Sequence, residues 1–333
     1  MSMPICQTPF PSKIAVALPV KDEQSRIQSA LTSLEIAARR VGMPVAVVII
    51  VNNTTDATTD RVREIADELS LLVHLHEVAM PALLSNAGSA RRLAMEIAAE
   101  LSPGGVLMTT DADAIVTADW FQAALAQLGC ADLVCGAVDV RTRLQTSPLS
   151  RRITRVEHSY ADALHHVRFA VDRVTGRQAA GAPPHYVESG AALAMWTRTY
   201  DALGGLPAVT CSEDRALVHT AEAHGLRVRY SNAMQTYVSA RLDGRADGGM
   251  ADCLKARLLS SDPLADQAML PLADIVALWD LARSGQDVLW PDRSVARGPR
   301  LRASDLEAAL PRLRAFVSDV VRPQSLAGRS DAA

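Results

Sequence analysis

The stretch VLMTTDADAIV, residues 106–116, decides the fold that the sequence predicts. Val106 to Thr110 is short and largely apolar, as a buried strand of a parallel sheet should be, and Asp111 and Asp113 follow it directly. Two carboxylates spaced in this way on a tight turn project beyond the end of the strand. Mg²⁺ is usually held by one or two carboxylates together with substrate phosphates, so the turn is a candidate cation site. The alternative interpretation is a capped turn that begins the next helix.

Similar apolar runs lie on both sides of this stretch, and helical patterns of about 10 to 15 residues separate them. The predicted strands cover residues 14–20, 45–51, 71–78, 106–110 and 133–140. This alternation predicts an α/β fold with a mostly parallel, Rossmann-like sheet and flanking helices. Ligands of such sheets bind beyond the carboxyl ends of the strands. The polar residues at these ends are Lys21-Asp22-Glu23, Asn52-Asn53 and Asp111-Ala112-Asp113.

Composition excludes several classes of protein. The 333 residues are 49% hydrophobic and only 4% aromatic, and the formal net charge is −3. A protein that binds nucleic acid by neutralising phosphates should be basic, so we expect no nucleic-acid partner. No window approaches the roughly 18 consecutive apolar residues of a membrane span. The first residues lack the pattern of a signal peptide, and the five cysteines contain no CxxC pair, so we expect a cytoplasmic protein.

The residues after the first predicted strand exclude two common kinds of nucleotide-binding loop. The sequence there is LPVKDE, without glycine. Both the dinucleotide-binding GxGxxG fingerprint and the P-loop need glycines at this point of the chain. A dehydrogenase or a P-loop NTPase is therefore not expected, and a bound nucleotide must be held by side chains.

The pattern changes after about residue 145. A long helix over 149–175, a further strand over 188–196 and a helix from Ser212 are predicted, with Ser212 as its N-cap. Two strand-like edges, RVRYSNA and MQTYVSAR, follow. We predict a domain over residues 1–250, with a donor half at 13–140 and an acceptor half at 141–250. Residues 251–333 are predicted to be a helical extension with a disordered tail from about Gln324.

Six short segments occur in an order that resembles the glycosyltransferases of family 2, which have the GT-A fold. The resemblance extends from about residue 13 to about residue 250. The segments are Pro19-Val20-Lys21-Asp22-Glu23, Asn52-Asn53-Thr54-Thr55-Asp56, Asn86-Ala87-Gly88-Ser89-Ala90-Arg91, Asp111-Ala112-Asp113, Gly190 with Arg198 and Gly204-Gly205-Leu206-Pro207, and Glu213-Asp214.

The resemblance implies a metal-dependent inverting enzyme that transfers a sugar from a nucleoside-diphosphate sugar to a hydroxyl acceptor. Asp111 and Asp113 would place Mg²⁺ or Mn²⁺ on the diphosphate, Asp214 would be the general base, and Glu213 would orient the acceptor or Asp214. Gly190 would lie on the acceptor side. The donor-binding residues implied are Pro19, Val20, Asp22, Glu23, Asn52, Asn53, Asn86, Arg91, Asp111, Ala112 and Asp113.

Two departures from the family pattern affect these expectations. Asn52-Asn53 replaces the commoner Asp-Asp, and an amide both accepts and donates hydrogen bonds. A UDP-sugar is favoured, although guanine is harder to exclude. No histidine matches a metal ligand sometimes found late in such domains, so the third ligand stays open. Arg241 and Arg245 could clamp the diphosphate, or they could be solvated surface arginines.

Two other functions share this pattern. A retaining GT-A enzyme that makes a small glycoside would keep the two aspartates without using Asp214 as a base. A non-catalytic nucleotide-sugar-binding protein would keep only the fold. The sequence has neither a QxxRW motif nor membrane helices, so we expect transfer to a discrete acceptor rather than polysaccharide synthesis. The C-terminal helices could cover the acceptor or form a homodimer contact.

Overall fold

The computed structural model describes residues 13–140, 147–178, 182–239, 255–256 and 258–327. The chain divides into two compact units. The first comprises Met1–Arg143 and Tyr186–Gly249, and the second comprises Leu144–His185 and Met250–Ala333. The segment Leu144–His185, which the sequence-based division at residue 250 assigned to the first domain, therefore belongs to the second unit. Arg241 and Arg245 lie outside the described residues.

The first unit contains an eight-stranded sheet with the strand order β3-β2-β1-β4-β7-β6-β8-β5. In chain order the strands are β1 (Ile14–Val20), β2 (Val45–Asn52), β3 (Leu72–Val78), β4 (Val106–Thr109), β5 (Ile115–Val116), β6 (Leu133–Val140), β7 (Leu193–Trp196) and β8 (Val228–Val238).

The sheet is mixed but mostly parallel, as expected. β1 pairs in parallel with β2 and β4, β2 with β3, and β6 with β8. β7 is antiparallel to both of its neighbours, β4 and β6, and β5 is antiparallel to β8. Among the strands of the described residues, six run in one direction, and only β5 and β7 are reversed. The two reversed strands were not expected, because an apolar run indicates a buried strand but not the direction in which it runs.

The helices of the first unit are α1 (Ile27–Val41), α2 (Thr58–Ala66), α3 (Ala87–Leu101), α4 (Trp120–Leu128), α6 (Thr197–Ala202) and α7 (Glu213–Ala223). Those of the second unit are α5 (Pro148–Val174), α8 (Leu272–Arg283), α9 (Ala303–Phe316) and α10 (Arg322–Ala327). None of the helices in the described part of the chain is long and apolar enough to cross a bilayer.

Alternate residues of β1 serve two hydrophobic layers, because successive side chains of a strand point to opposite faces. Ile14, Val16 and Leu18 pack with the apolar residues of α1 and α4 on one face. Ala15 and Ala17 pack with those of α3 and α7 on the other. All seven residues of β1 are buried, so the strand is central to the core.

Several boundaries differ from those predicted. The strand expected over 188–196 covers Leu193–Trp196, and the two expected edges near residues 227–241 form the single strand β8, with an irregular register opposite Gly136 and Ala137. The last helix extends to Ala327, beyond the point at which order was expected to end. Local sequence patterns mark apolar runs well, but bulges and helix ends depend on contacts made elsewhere in the fold.

The second unit has a hydrophobic core of its own. α5 contributes Tyr160 and Val167. They pack with Trp279 of α8, with Leu306 of α9, and with Trp290 in the segment between these two helices. The Tyr160 hydroxyl donates a hydrogen bond of 2.8 Å to the carbonyl oxygen of Leu270. An independent core of this kind explains why the long helix groups with the C-terminal helices rather than with the sheet.

Candidate functional site

The site is built on the edge of the sheet at which the parallel strands β1, β2 and β4 end. Asp22 and Glu23 follow β1, Asn52 ends β2, and Asp111 comes two residues after β4. Pro19 and Val20, the last residues of β1, are paired in register with β2. Because parallel strands end at the same edge, the fold brings these residues together as the sequence predicted.

Arg91 of α3 lies beneath this edge and is only 5% exposed. Its Nε donates to Glu213 Oε1 at 3.1 Å, and its Nη2 donates to Asp111 Oδ1 at 2.7 Å. Its Nη1 donates to Thr109 Oγ1 at 2.8 Å and to the carbonyl oxygen of Gly190 at 2.9 Å. Burial by itself would lower the pKa of Arg91, but the carboxylates of Asp111 and Glu213 outweigh it, so the pKa is raised.

Gly190 contacts both Arg91 and Asp214. A Cβ atom at this position would lie 2.3 Å from Cζ of Arg91, so the guanidinium would have to move away from its present partners. The Gly190 N–H donates to Asp214 Oδ2 at 2.8 Å. The glycine that the family resemblance assigned to the acceptor side is thus required here for the close approach of a guanidinium to the backbone.

Asp214 lies in the first turn of α7. Its Oδ1 accepts a hydrogen bond of 2.8 Å from the N–H of Arg215. Burial and the neighbouring Glu213 carboxylate raise the pKa of Asp214 to about 6, while Arg91 and the two backbone N–H groups oppose the rise. A carboxylate with a pKa near neutrality can accept a proton and release it again, which is the requirement for a general base.

Asn86 and Gly88 each have a structural role at the start of α3. Asn86 is the N-cap, and its Oδ1 accepts a hydrogen bond of 2.8 Å from the N–H of Ser89. A Cβ on Gly88 would lie 3.3 Å from the carboxyl group of Glu213, so this glycine allows α3 and α7 to approach. The structure therefore gives Asn86 a capping hydrogen bond, in addition to the donor-side role that the resemblance implies.

Hydrogen bonds that involve side chains connect the loops after β1 and β2. We call the residues that make them the loop network (Asp22, Glu23, Thr54, Thr55 and Thr58). Asp22 Oδ1 accepts from the N–H of Thr55 at 2.7 Å and from its hydroxyl at 3.1 Å. The N–H of Asp22 donates to Thr54 Oγ1, and that of Glu23 donates to Thr58 Oγ1 at 2.7 Å. These contacts fix the shape of the loops at which the donor was expected to bind.

The two asparagines after β2 differ in their contacts. Asn53 makes two hydrogen bonds of 3.0 Å with the backbone of Met80, one through each side-chain atom. Asn52 is 2% exposed, and its Nδ2 has no hydrogen-bond partner among the residues that the structure describes. A buried amide donor without an acceptor is costly unless a ligand or water satisfies it, so Asn52 is the better candidate for recognition.

Left-handed backbone conformations occur at several residues in or beside the site segments. In the described ranges, the non-glycine residues with positive φ are Asp22, Asn53, Tyr186 and Ser212. Ser212 directly precedes the Glu213-Asp214 pair, and Tyr186 begins the segment that leads to Gly190. Ser212 occupies the predicted N-cap position of α7, but it has a φ of 60° and makes no capping hydrogen bond through its side chain. Such strained residues cluster at functional sites, where surrounding contacts hold them.

The residues present fit a divalent cation that takes its remaining ligands from a substrate. Asp111 and Asp113 lie on the turn after β4, and the Asp111 side chain is 33% exposed. Asp111, Glu213 and Asp214 surround one cation, Arg91, which leaves an excess of negative charge. Across the described ranges, no group of three or more histidine, cysteine or acidic side chains could hold a metal ion by itself. Two carboxylates with phosphate or water oxygens are sufficient for Mg²⁺.

Thr109 is a site residue that the sequence analysis missed. It is the last residue of β4, it is fully buried, and its hydroxyl accepts from Arg91. Ala112, between the two aspartates, is 4% exposed and packs into the core of the first unit. A threonine at the end of an otherwise apolar strand is a weak signal, because only the position of Arg91 in space gives it a partner.

The sequence matches no protein-family model and no curated protein. Its fold, in contrast, is similar to that of solved glycosyltransferases. TarS residues 1–349 from S. aureus, in complex with UDP-GlcNAc, has 14% identity and a TM-score of 0.50 over 80% of this chain and 70% of that chain. A mannosyltransferase from Pyrobaculum calidifontis, in complex with GDP-Man and Mn²⁺, has 18% identity and a TM-score of 0.49 over 98% and 77%.

Glucosyl-3-phosphoglycerate synthase from Mycobacterium tuberculosis, in complex with Mn²⁺, UDP and phosphoglyceric acid, has 17% identity and a TM-score of 0.42. That match covers 75% of this chain and 78% of the synthase. At such low identities the likeness concerns the arrangement of strands and helices. The sheet order, its mixed half and the TarS match together show that this chain has the fold of the GT-A glycosyltransferases.

Proposed function

We propose that this protein is a metal-dependent inverting glycosyltransferase that uses a nucleoside-diphosphate sugar, with a UDP-sugar favoured, and a discrete hydroxyl acceptor. The observation that carries the proposal is the placement of Asp214. Its carboxylate is fixed by two backbone N–H groups, close to the turn that bears Asp111 and linked to it through Gly190 and Arg91. Fixed position and a raised pKa are the two properties that a general base needs.

The donor would lie along the carboxyl edge of β1, β2 and β4. Asn52 can both accept from the N–H of a uracil ring and donate to a carbonyl oxygen of that ring, which would satisfy its buried Nδ2. Asp111 and Asp113 would hold Mg²⁺ or Mn²⁺ at the diphosphate. The bound ion would neutralise the charge that develops on the departing nucleoside diphosphate. The complex of TarS with UDP-GlcNAc supports the same class of donor here.

The reaction step assigned to the chain is a proton transfer at Asp214. The carboxylate of Asp214 takes the proton from the acceptor hydroxyl as the acceptor oxygen attacks the anomeric carbon from the face opposite the leaving group. The bond between the anomeric carbon and the diphosphate oxygen breaks, and the nucleoside diphosphate leaves with the electron pair. Glu213, held by Arg91, would orient the acceptor or Asp214.

A panel of donors tests the nucleotide, and product analysis tests the stereochemistry. Thermal unfolding is followed with UDP-, GDP- and dTDP-sugars in the presence of Mn²⁺, because a ligand raises the melting temperature only if it binds the folded state. We expect stabilisation by a UDP-sugar. NMR of the product should then show inversion at the anomeric carbon. Retention would instead support the retaining enzyme, and donor binding without turnover would support a binding protein.

A further inference from the structure

Arg91 joins parts of the chain that are far apart in sequence. The hydrogen bonds of its side chain reach 18 residues to Thr109, 20 residues to Asp111, 99 residues to Gly190 and 122 residues to Glu213. Asp111 belongs to the turn proposed for the cation, and Glu213 belongs to the pair that contains the proposed base. Arg91 is thus in contact with both sides of the site.

The same contacts leave the Arg91 side chain with little exposed surface and few hydrogen-bond donors for a substrate. The side chain is 6% exposed, and each of its three nitrogens already donates to the protein. We propose that Arg91 is a positioning residue, which sets the separation of Asp111 from the Glu213-Asp214 pair and, with Gly190, keeps Asp214 aligned for proton transfer. This inference rests on the proposed function, and it differs from the donor contact that the family resemblance implies.

The geometry requires a guanidinium rather than any cation. A planar guanidinium presents its N–H groups in fixed directions and can serve acceptors on several sides at once, whereas the ammonium of lysine is a compact group on a flexible stem. Gly190 completes the arrangement, since its missing Cβ makes room for Cζ of Arg91, while its N–H holds Asp214. Displacing the guanidinium should therefore disturb Asp214, although the two residues share no hydrogen bond.

The first test compares Arg91→Lys with Arg92→Lys. Arg92, the next residue along α3, pairs with Glu96 at 3.1 Å on the surface and is the matched control. A displacement on the order of 1 Å at a reacting group can cost about 100-fold in rate, so we expect that loss of kcat in Arg91→Lys. A surface substitution such as Arg92→Lys should change kcat by about twofold or less. Calorimetric affinity for Mn²⁺ with UDP should fall much less than kcat in Arg91→Lys.

A milder pair of variants keeps the inference testable if Arg91→Lys does not fold. Thr109→Val removes one acceptor of Arg91 and keeps the shape of the side chain. Thr110→Val is its control, because Thr110 is equally buried and its hydroxyl has no hydrogen-bond partner in the described part of the chain. Thr109→Val should lower kcat by about tenfold, the low end of the range for one hydrogen bond to a charged group, with Thr110→Val close to wild type.

The outcomes separate the inference from the function on which it rests. If the wild-type protein neither binds Mn²⁺ with UDP nor transfers a sugar, the proposed function fails. If the wild type is active and both test variants match their controls in kcat, Arg91 does not position the site. Loss of nucleotide affinity in Arg91→Lys with an unchanged kcat would mean that Arg91 contacts the donor directly, which also overturns the inference.

Discussion

The loop network after β1 and β2 and the carboxylate cluster around Arg91 (Asp111, Glu213 and Asp214) lie at the same edge of the sheet. In the loop network, Asp22 is bound to N–H and hydroxyl groups of Thr55 and so holds two loops together. In the cluster, one arginine faces three carboxylates. A polar residue at the end of a strand is therefore not by itself a ligand. It is a candidate ligand only if the fold leaves the charge of its side chain without a full complement of partners.

Asp214→Asn is the change to the cluster with the largest expected effect. Without a base, kcat should fall by about 1,000-fold, within the range known for general acid–base catalysis. Asn keeps a side-chain oxygen for only one of the two backbone N–H groups, so the melting temperature should fall, whereas donor affinity should change little. Turnover is measured beside Asp201→Asn, an exposed aspartate of α6. Activity of Asp214→Asn at the wild-type level would exclude Asp214 as the base.

Removal of divalent cations should have the next largest effect. Asp111 and Asp113 would share an ion with the diphosphate, so EDTA should reduce turnover by about 100-fold or more, and Mn²⁺ should restore it. Asp113→Asn should weaken the affinity for Mn²⁺ with UDP, while Asp60→Asn on α2, an exposed aspartate, serves as the control. An enzyme that is fully active after exhaustive chelation would contradict the cation site.

The pH dependence of kcat/KM distinguishes the cluster from ordinary surface carboxylates. The pKa of Asp214 is raised to about 6 by burial and by Glu213, against Arg91 and the N–H groups of Gly190 and Arg215. The base is active when ionised, so activity should fall about tenfold per pH unit below that pKa and level off above it. Because the folded pKa lies above the unfolded one, ionisation of Asp214 also costs stability as the pH rises through 6. A flat profile between pH 5 and 7 would contradict this assignment.

The loop network should respond to mutation with the smallest effect on chemistry. Asp22→Ala removes two hydrogen bonds to Thr55 and should lower the free energy of unfolding by about 1–3 kcal/mol. The KM for the donor should rise by a few fold while kcat stays near wild type. Chemical denaturation beside Asp60→Ala measures the difference. A large loss of kcat with little change in stability would mean that Asp22 takes part in the reaction rather than only holding the two loops together.

The local part of the fold could be predicted from sequence because it depends on short periodic patterns. β1 has the bounds that its apolar run predicted, and β2 differs by one terminal residue. The helix at Glu213 was also expected, but the left-handed φ of Ser212 was not, because that conformation is held by the surrounding structure. The antiparallel direction of β7 was not expected, because an apolar run does not show which way a strand runs.

The sequence alone determined the α/β class, the polar ends of the strands and the residue types suited to a nucleotide, a cation and a base. Tertiary structure alone decided which of them act together. It placed Gly190 against an arginine 99 residues earlier in the chain, and it made Asn53 a backbone contact while leaving Asn52 Nδ2 buried without a described partner. The physical reason is that strand and helix patterns arise from neighbouring residues. Burial, charge compensation and pKa instead depend on groups that only folding brings into contact.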